Sequence, residues 1–153
     1  IYDDTEIKYI NISCSLKLLD CDKTTNIENL LHVESSLLNL NYIKIIREWV
    51  GNEKQFKLLY RGSKDGFEGE NFHSKCDNKG STITIIESEN KCLFGGYTSI
   101  SWGRTFKNHD TDENAFLFTL KNPFNINPTK YKIIKSNYAI YNHSNCGPCF
   151  GYE

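Results

Sequence analysis

The chain contains no methionine, only three prolines and almost no net charge. Its 18 lysine and arginine residues nearly balance 19 aspartate and glutamate residues, which leaves a formal charge of −1 at pH 7. This balance gives no electrostatic reason to expect a nucleic acid as the main partner. Because even the first residue is not methionine, we expect the sequence to be a piece of a longer protein.

Long apolar runs are also missing. The longest are short, such as residues 83–86, and a threonine interrupts even that one. A membrane-spanning helix needs roughly 20 apolar residues, and a secretory signal peptide needs a positively charged start followed by an apolar run. The sequence has neither, so it predicts a cytoplasmic protein without a transmembrane segment.

The remaining composition is typical of a globular domain. Hydrophobic residues make up 39% and charged residues 24% of the 153 positions, and this length is enough for one domain with a substantial core. The six cysteines are too sparse for a small disulfide-linked scaffold. We therefore expect free thiols in a reducing compartment, and the sequence suggests no cofactor.

The first fifty residues predict one strand and two helices. Residues 9–19 alternate between apolar and polar side chains, as a half-buried strand does. Residues 25–28 fit a capping box at the start of a helix. A second helix is expected to begin after Asn39 or Asn41 and to end at Gly51, because asparagine caps helix starts and glycine terminates helices.

Beyond residue 51 the pattern changes to short strands and turns. Residues 61–67 are predicted as a loop and residues 71–76 as a short helix, and the polar residues 102–113 are expected to hold one of the longer connections. Strands are predicted at residues 56–60, 81–87, 92–94, 115–120, 132–136 and 138–141. This series predicts an α+β fold that is mainly β, a two-sheet antiparallel β-sandwich flanked by helices.

From residue 59 onward, glycine, aromatic and charged residues follow one another in an order that core patterning alone does not produce. The blocks are Leu59-Tyr60-Arg61-Gly62-Ser63-Lys64-Asp65-Gly66-Phe67, Phe72-His73, Cys76-Asp77-Asn78-Lys79-Gly80 and Phe94-Gly95-Gly96-Tyr97. Trp49 precedes them on a predicted helix, and Trp102 follows them. In this order and spacing they resemble the signature of the TLDc domain, the module of the oxidation-resistance protein family.

The resemblance covers residues 36–153 and leaves residues 1–35 as an N-terminal extension with one strand and one helix. TLDc domains consist of two antiparallel sheets packed face to face and flanked by helices. The family is associated with protection from oxidative stress and with binding of the vacuolar-type proton-pumping ATPase, and no agreed catalytic residues exist. The resemblance therefore implies a non-enzymatic interaction domain with a protein partner and with no cofactor or metal.

One block departs from the family. TLDc domains carry an aromatic-Gly-Pro-Thr-Phe-Gly sequence near their end, where this chain has Cys146-Gly147-Pro148-Cys149-Phe150-Gly151. The family continues beyond this block with a glycine-rich turn and a further strand, whereas this sequence stops at Glu153. The resemblance thus implies a C-terminally truncated domain whose final strand is missing.

The candidate binding or motif residues lie in the shared blocks: Arg61, Gly62, Asp65, Gly66, Phe67, Phe72, Cys76, Gly95 and Gly96. Arg61 and Asp65 are expected to hold their loop by charge-assisted hydrogen bonds. The paired glycines are expected to allow a bulge or a close approach of two backbones. His73 and Cys76 share a helix face, where we expect a half-exposed histidine and a packed cysteine; a redox-sensing Cys76 is the alternative.

Cys146 and Cys149 form the Cys-Gly-Pro-Cys motif of thioredoxin-type proteins, and they support an alternative function, a thiol-disulfide oxidoreductase or redox sensor. In that fold the motif opens a helix, whose N-terminus lowers the pKa of the first thiol. Only four residues follow Cys149 here, so the sequence favours a simple Gly-Pro turn. His143, Cys146 and Cys149 also have the spacing of three zinc ligands, but no second pair of ligands supports a metal site.

Overall fold

The computed structural model describes residues 10–20, 37–52, 54–103 and 108–151. Its strands are β1 (Ile10–Asp20), β2 (Lys54–Arg61), β3 (Thr82–Ser88), β4 (Leu93–Thr98), β5 (Asn108–Asp110), β6 (Phe116–Lys121), β7 (Thr129–Lys132), β8 (Ile140–Asn142) and β9 (Cys149–Phe150). A six-stranded sheet has the order β2-β1-β3-β4-β6-β7, and a three-stranded sheet has the order β5-β8-β9. All pairings between these described strands are antiparallel. The prediction of a mainly β fold with two antiparallel sheets is confirmed.

Short helices accompany the sheets. They are α1 (Leu40–Val50), α2 (Gly62–Asp65), α3 (Gly69–Cys76) and a 3-10 turn at Ser136–Tyr138. Asn39 caps α1, because its side chain accepts a hydrogen bond from the backbone N–H of Tyr42 at 2.9 Å. Gly51 ends α1 with a φ of +118°, a backbone conformation that favours glycine. The helix predicted from residue 25 onward lies outside the described residues.

One face of the six-stranded sheet packs against α1 in a first core cluster. Its buried members come from α1, from the residues just before α1 and from the inward-facing positions of the strands: Leu16, Leu18, Leu37, Ile43, Ile46, Phe56, Ile83, Ile85, Leu93, Phe116, Phe118 and Leu120. Trp49 of α1 is partly buried against Phe116 and Phe118, with ring centroids 6.2 and 5.8 Å apart. Each fully buried aliphatic or aromatic side chain contributes roughly 1.5–3 kcal/mol, so this cluster stabilises the helix on the sheet.

The opposite face of the same sheet carries a second core cluster, formed by Tyr60, Phe72, Cys76, Trp102 and Ile140. This face of the sheet is more polar than the face that packs on α1. Side chains alternate between the two faces of a strand, so the two threonines of β3 point away from the first cluster. Thr82 accepts a hydrogen bond from Trp102 Nε1 at 2.8 Å, and Thr84 bonds to Ser15 at 3.0 Å between hydroxyl oxygens. The three-stranded sheet packs on this face, because Phe150 of β9 contacts β4 at Gly96.

Strand β1, which the alternation of residues 9–19 predicted, lies between β2 and β3 and pairs with both. Its described residues therefore supply an interior strand of the six-stranded sheet. Ser15 and Leu16 are fully buried there, on opposite faces of the sheet.

Three local predictions are wrong. Residues 61–67 are not a simple loop, because they contain the helical turn α2. The strand predicted at 132–136 is replaced by β7, which ends at Lys132 because only residues 129–132 pair with β6. Ile134 suggested a longer strand, but it is 97% exposed. The strand predicted at 138–141 begins two residues later, after the 3-10 turn.

Candidate functional site

The block at residues 59–67 folds into the end of β2, the turn α2 and a glycine corner. The backbone N–H of Arg61 donates to Asp65 Oδ2 at 2.8 Å, and the N–H of Gly66 donates to the Gly62 carbonyl at 2.9 Å. The Tyr60 hydroxyl donates to the Gly66 carbonyl at 2.6 Å. Gly66 has a φ of +97°, which favours glycine. Asp65 thus closes the loop onto the main chain through a charge-assisted hydrogen bond.

The two phenylalanines of the motif blocks have opposite environments. Phe72 is 1% exposed and makes edge contacts with the rings of Tyr60 and Trp102, at centroid distances of 5.6 and 5.5 Å. Phe67, at the tip of the loop, is 56% exposed. Phe72 therefore belongs to the second core cluster, whereas Phe67 offers its ring to solvent.

His73 joins α3 to the loop that carries Cys146. Its Nδ1 lies 2.6 Å from Asp77 Oδ1, and its Nε2 lies 2.9 Å from the His143 carbonyl oxygen. The ring therefore bridges the Asp77 side chain and the backbone of the Cys146 loop through hydrogen bonds. The prediction of a half-exposed His73 is wrong, because the residue is 2% exposed.

The Cys146 loop is also fixed by close packing. A Cβ at Gly69, the first residue of α3, would lie 2.5 Å from the Asn145 carbonyl carbon, so only glycine fits without a shift of the backbone. The Cys146 N–H donates to the His143 carbonyl at 3.0 Å, which closes a tight turn. Strand β9 follows from Cys149, whereas a thioredoxin-type motif opens a helix. Gly147 and Pro148 lie in a bend between this turn and β9.

Cys76 lies at the centre of the second core cluster and is fully buried. Burial raises the pKa of its thiol to about 12, although a hydrogen bond with Ser15 acts in the opposite direction. A thiol in such an environment stays protonated near neutral pH and is a poor nucleophile. The geometry therefore favours a packing role for Cys76 over a redox-sensing role.

Gly95 and Gly96 allow close approach between layers. A Cβ at Gly95 would overlap the Thr84 carbonyl oxygen of the neighbouring strand. A Cβ at Gly96 would lie 2.7 Å from carbon atoms of the Phe150 ring. Gly96 thus makes the space into which β9 places its aromatic side chain, while Gly95 lets β4 lie close to β3.

Asp112 is a buried carboxylate that sequence reasoning missed. It accepts hydrogen bonds from the Thr98 hydroxyl (2.8 Å), the Ser99 hydroxyl (2.6 Å), the Ser99 N–H (2.6 Å) and the Asn114 N–H (3.0 Å). Burial raises the pKa of Asp112, but these hydrogen bonds lower it more, so the net shift is downward. Its four donors make it an anchor for the end of β4.

A sequence model of the TLDc domain matches residues 31–153. The chain belongs to the TLDc domain family. No curated protein matches the chain, and no solved structure does.

In this TLDc domain the structure gives the motif residues three different tasks. Gly62, Asp65 and Gly66 shape the exposed loop, Phe72 and Cys76 fill the second core cluster, and Gly95 and Gly96 let strands and rings approach. Beside the loop lies a shallow cavity of about 340 Å³, lined by Leu58, Leu59, Arg61, Lys64, Asp65 and Lys75. Three of these six side chains are cationic and one is anionic, so the cavity suits a negatively charged contact.

Two further observations concern the TLDc domain as a whole. Among the described residues, no group of three or more histidine, cysteine, aspartate or glutamate side chains is placed to hold a metal ion. In the same part of the chain, no helix has the length and apolar character needed to cross a membrane.

The sequence offered only partial signals for the residues that were missed. Asp77 follows His73 by four positions, the spacing that brings two side chains together on one helix face. That spacing predicts the pair, but the His143 carbonyl on its other side is seventy positions away in the chain. Asp112 lies in a polar segment that was expected to hold one of the longer connections, and nothing local in the sequence marks it as buried.

Proposed function

We propose that this TLDc domain is a non-enzymatic protein-interaction module that acts in oxidative-stress resistance in the cytoplasm. Its proposed partner is the vacuolar-type proton-pumping ATPase, which the resemblance to the family suggests. The observation that carries the proposal is the match to the TLDc domain over residues 31–153. The proposal requires no cofactor.

The placement of the charged motif residues supports a binding role rather than a catalytic one. Asp65 is occupied by the backbone of Arg61, and His73 is buried between two acceptors. A general acid or base has to reach a substrate proton within hydrogen-bonding distance. Both groups instead hold parts of the chain in place.

We further propose that the partner contacts the loop at residues 61–67. Phe67 presents a large ring at 56% exposure, and exposed Lys64 lies three positions before it in the same loop. Aromatic side chains are enriched among the residues that dominate the binding energy of protein interfaces. Gly66 and Asp65 fix the loop, so Phe67 can bind with little loss of backbone freedom.

Biolayer interferometry with immobilised chain and purified vacuolar-type ATPase tests this proposal. We expect saturable binding that weakens at least about tenfold in Phe67→Ala, because a hot-spot aromatic is lost. Leu40→Ala is the matched control, since Leu40 is 57% exposed on a different element. Absence of binding at any concentration would remove the ATPase as partner, and equal binding by Phe67→Ala would remove the loop from the interface.

The alternative function is a thiol-disulfide oxidoreductase or redox sensor that uses Cys146 and Cys149. An insulin-reduction assay, with dithiothreitol as the electron source, distinguishes this function from the binding module. A binding module gives no turnover above the reagent alone. Turnover by the wild-type chain that disappears in Cys146→Ser would replace the binding proposal with the oxidoreductase.

A further inference from the structure

The shallow cavity of about 340 Å³ beside the loop at residues 61–67 is built by three different elements. Its side chains are Leu58, Leu59 and Arg61 of β2, Lys64 and Asp65 of α2, and Lys75 of α3. Charges from separate elements converge here because the fold brings α2 and α3 together at the end of β2. The volume lies within the range of about 300–1,000 Å³ that is usual for small-molecule sites.

The lining carries a surplus of positive charge. Three cationic side chains and one carboxylate give it a formal charge of +2. The carboxylate is already engaged, because Asp65 Oδ2 accepts the backbone N–H of Arg61 at 2.8 Å. Two leucines form the rest of the lining, and an apolar wall strengthens the field of nearby charges. The cavity is therefore complementary to an anion.

The two lysines of the cavity differ from a lysine that is used within the fold. Lys91 pairs with Glu87 at 2.9 Å. In the part of the chain that the structure describes, Lys64 and Lys75 have no ion-pair partner. Both are exposed, and a lysine carries its charge on a flexible stem, so both ammonium groups can reach a ligand in the cavity.

Neighbouring carboxylates do not neutralise the cavity. Glu68 and Glu70, at the start of α3, are exposed and are not part of the lining. Asp77, after the end of α3, lies 2.6 Å from the His73 ring and is engaged there. Because like charges that share one cavity repel each other, an anion bound among the cationic side chains would relieve an unfavourable interaction.

We propose that this cavity binds the phosphate group of a phosphorylated small molecule. A phosphate monoester carries a charge of about −1.5 to −2 at pH 7, which matches the +2 of the lining. Its three terminal oxygens can accept hydrogen bonds from donors on several sides, as the placement of the cationic side chains on three elements requires. The site borders the loop at residues 61–67, but it requires neither Phe67 nor the ATPase.

An NMR titration of the purified chain with methyl phosphate tests the site. Backbone amide shifts are followed at constant ionic strength, with sodium acetate as the control because a carboxylate carries a single charge. We expect saturable shifts at residues 61–65 and 75 with methyl phosphate and none with acetate. No saturation with methyl phosphate, or equal affinity for acetate, would overturn the proposal.

Alanine variants separate the cavity from general attraction of anions. Lys64→Ala and Lys75→Ala should each weaken binding about threefold, the effect of an exposed charge pair, and the double variant should weaken it about tenfold. Lys44→Ala removes the same charge at an exposed position of α1 and should leave the affinity unchanged. All these variants should keep the wild-type melting temperature, because exposed lysines contribute little to folding. Equal losses in the cavity variants and in Lys44→Ala would overturn the site.

Two further measurements test the ligand class. Binding should weaken between pH 7 and pH 5, because a phosphate monoester takes up a proton near pH 6; an affinity that does not change would contradict the phosphate assignment. Glycerol 3-phosphate should bind more tightly than a short peptide that carries phosphoserine, and the reverse order would overturn the assignment to a small molecule. These outcomes need only the purified chain, so the failure of this proposal is distinguishable from a failure to bind the ATPase.

Discussion

Cys76 should react with an alkylating reagent far more slowly in the folded protein than in the unfolded chain. Its thiol is fully buried in the second core cluster, and burial raises its pKa to about 12. The thiolate is the reactive form, so the rate is set by the ionised fraction and by access to the sulfur.

The magnitude follows from the two pKa values. Near pH 8, a thiol with a pKa of about 12 is ionised in about one molecule in 10,000. A cysteine in an unfolded chain, with a pKa near 8.5, is ionised in about a quarter of the molecules. Ionisation alone therefore predicts a native rate about two thousandfold lower, and the packing of Phe72 and Trp102 around the sulfur should lower it further.

The assay is alkylation with iodoacetamide, followed by mass spectrometry of each cysteine-containing peptide, in buffer and in concentrated guanidinium chloride. Cys92, in the turn between β3 and β4, is partly exposed and serves as the internal control, which should be labelled much faster than Cys76 in the folded protein. Labelling of native Cys76 within about tenfold of its unfolded rate would refute the burial argument and make Cys76 a redox candidate.

Three further predictions concern stability. Asp112→Asn should cost about 2–3 kcal/mol at pH 7 in chemical denaturation, because a charged acceptor of four hydrogen bonds is lost. Because the folded pKa of Asp112 is lowered, its stabilisation is fully present above the unfolded pKa of about 4 and is lost as the pH falls further through the lower folded pKa. A cost of Asp112→Asn that does not shrink as the pH is lowered below about 4 would contradict this. Gly96→Ala should lower stability by about 1–3 kcal/mol, since the aromatic ring of β9 occupies the added space, whereas Gly103→Ala should change the melting temperature little because nothing lies within 4 Å. Trp102→Phe should cost about 1–3 kcal/mol in urea titrations, because a buried hydrogen bond is lost from the core; an unchanged midpoint would exclude this bond as a contributor.

The elements that bury one continuous face could be predicted from the sequence. The period-two alternation at residues 9–19 gave β1, and the capping asparagine and terminal glycine gave α1. In both, local sequence and tertiary packing favour the same structure, so the pattern is informative.

Elements that depend on distant pairing could not be predicted. Strands β5 and β9 have three and two residues, too few for a pattern, and both exist because they pair with β8. The apolar pair Ile133 and Ile134 suggested a strand, but β6 offers pairing partners only as far as Lys132.

In the candidate site, too, some features could be predicted from the sequence and others could not. The TLDc blocks located the exposed loop and the glycine contacts, because their residue types recur in a fixed order. The role of His73 depends on a carbonyl in the Cys146 loop, and the role of Gly96 depends on the Phe150 ring of the second sheet. Such long-range contacts leave no local trace in a single sequence.

The proposed function attributes protection from oxidation to binding by this TLDc domain and not to thiol chemistry. The most direct test compares the survival of cells exposed to hydrogen peroxide when they express the wild-type chain, the double variant Cys146→Ser and Cys149→Ser, or neither. We expect the double variant to protect as well as the wild type. The binding proposal would be contradicted if the wild-type chain protects the cells but the double variant gives only the survival of cells that express neither chain.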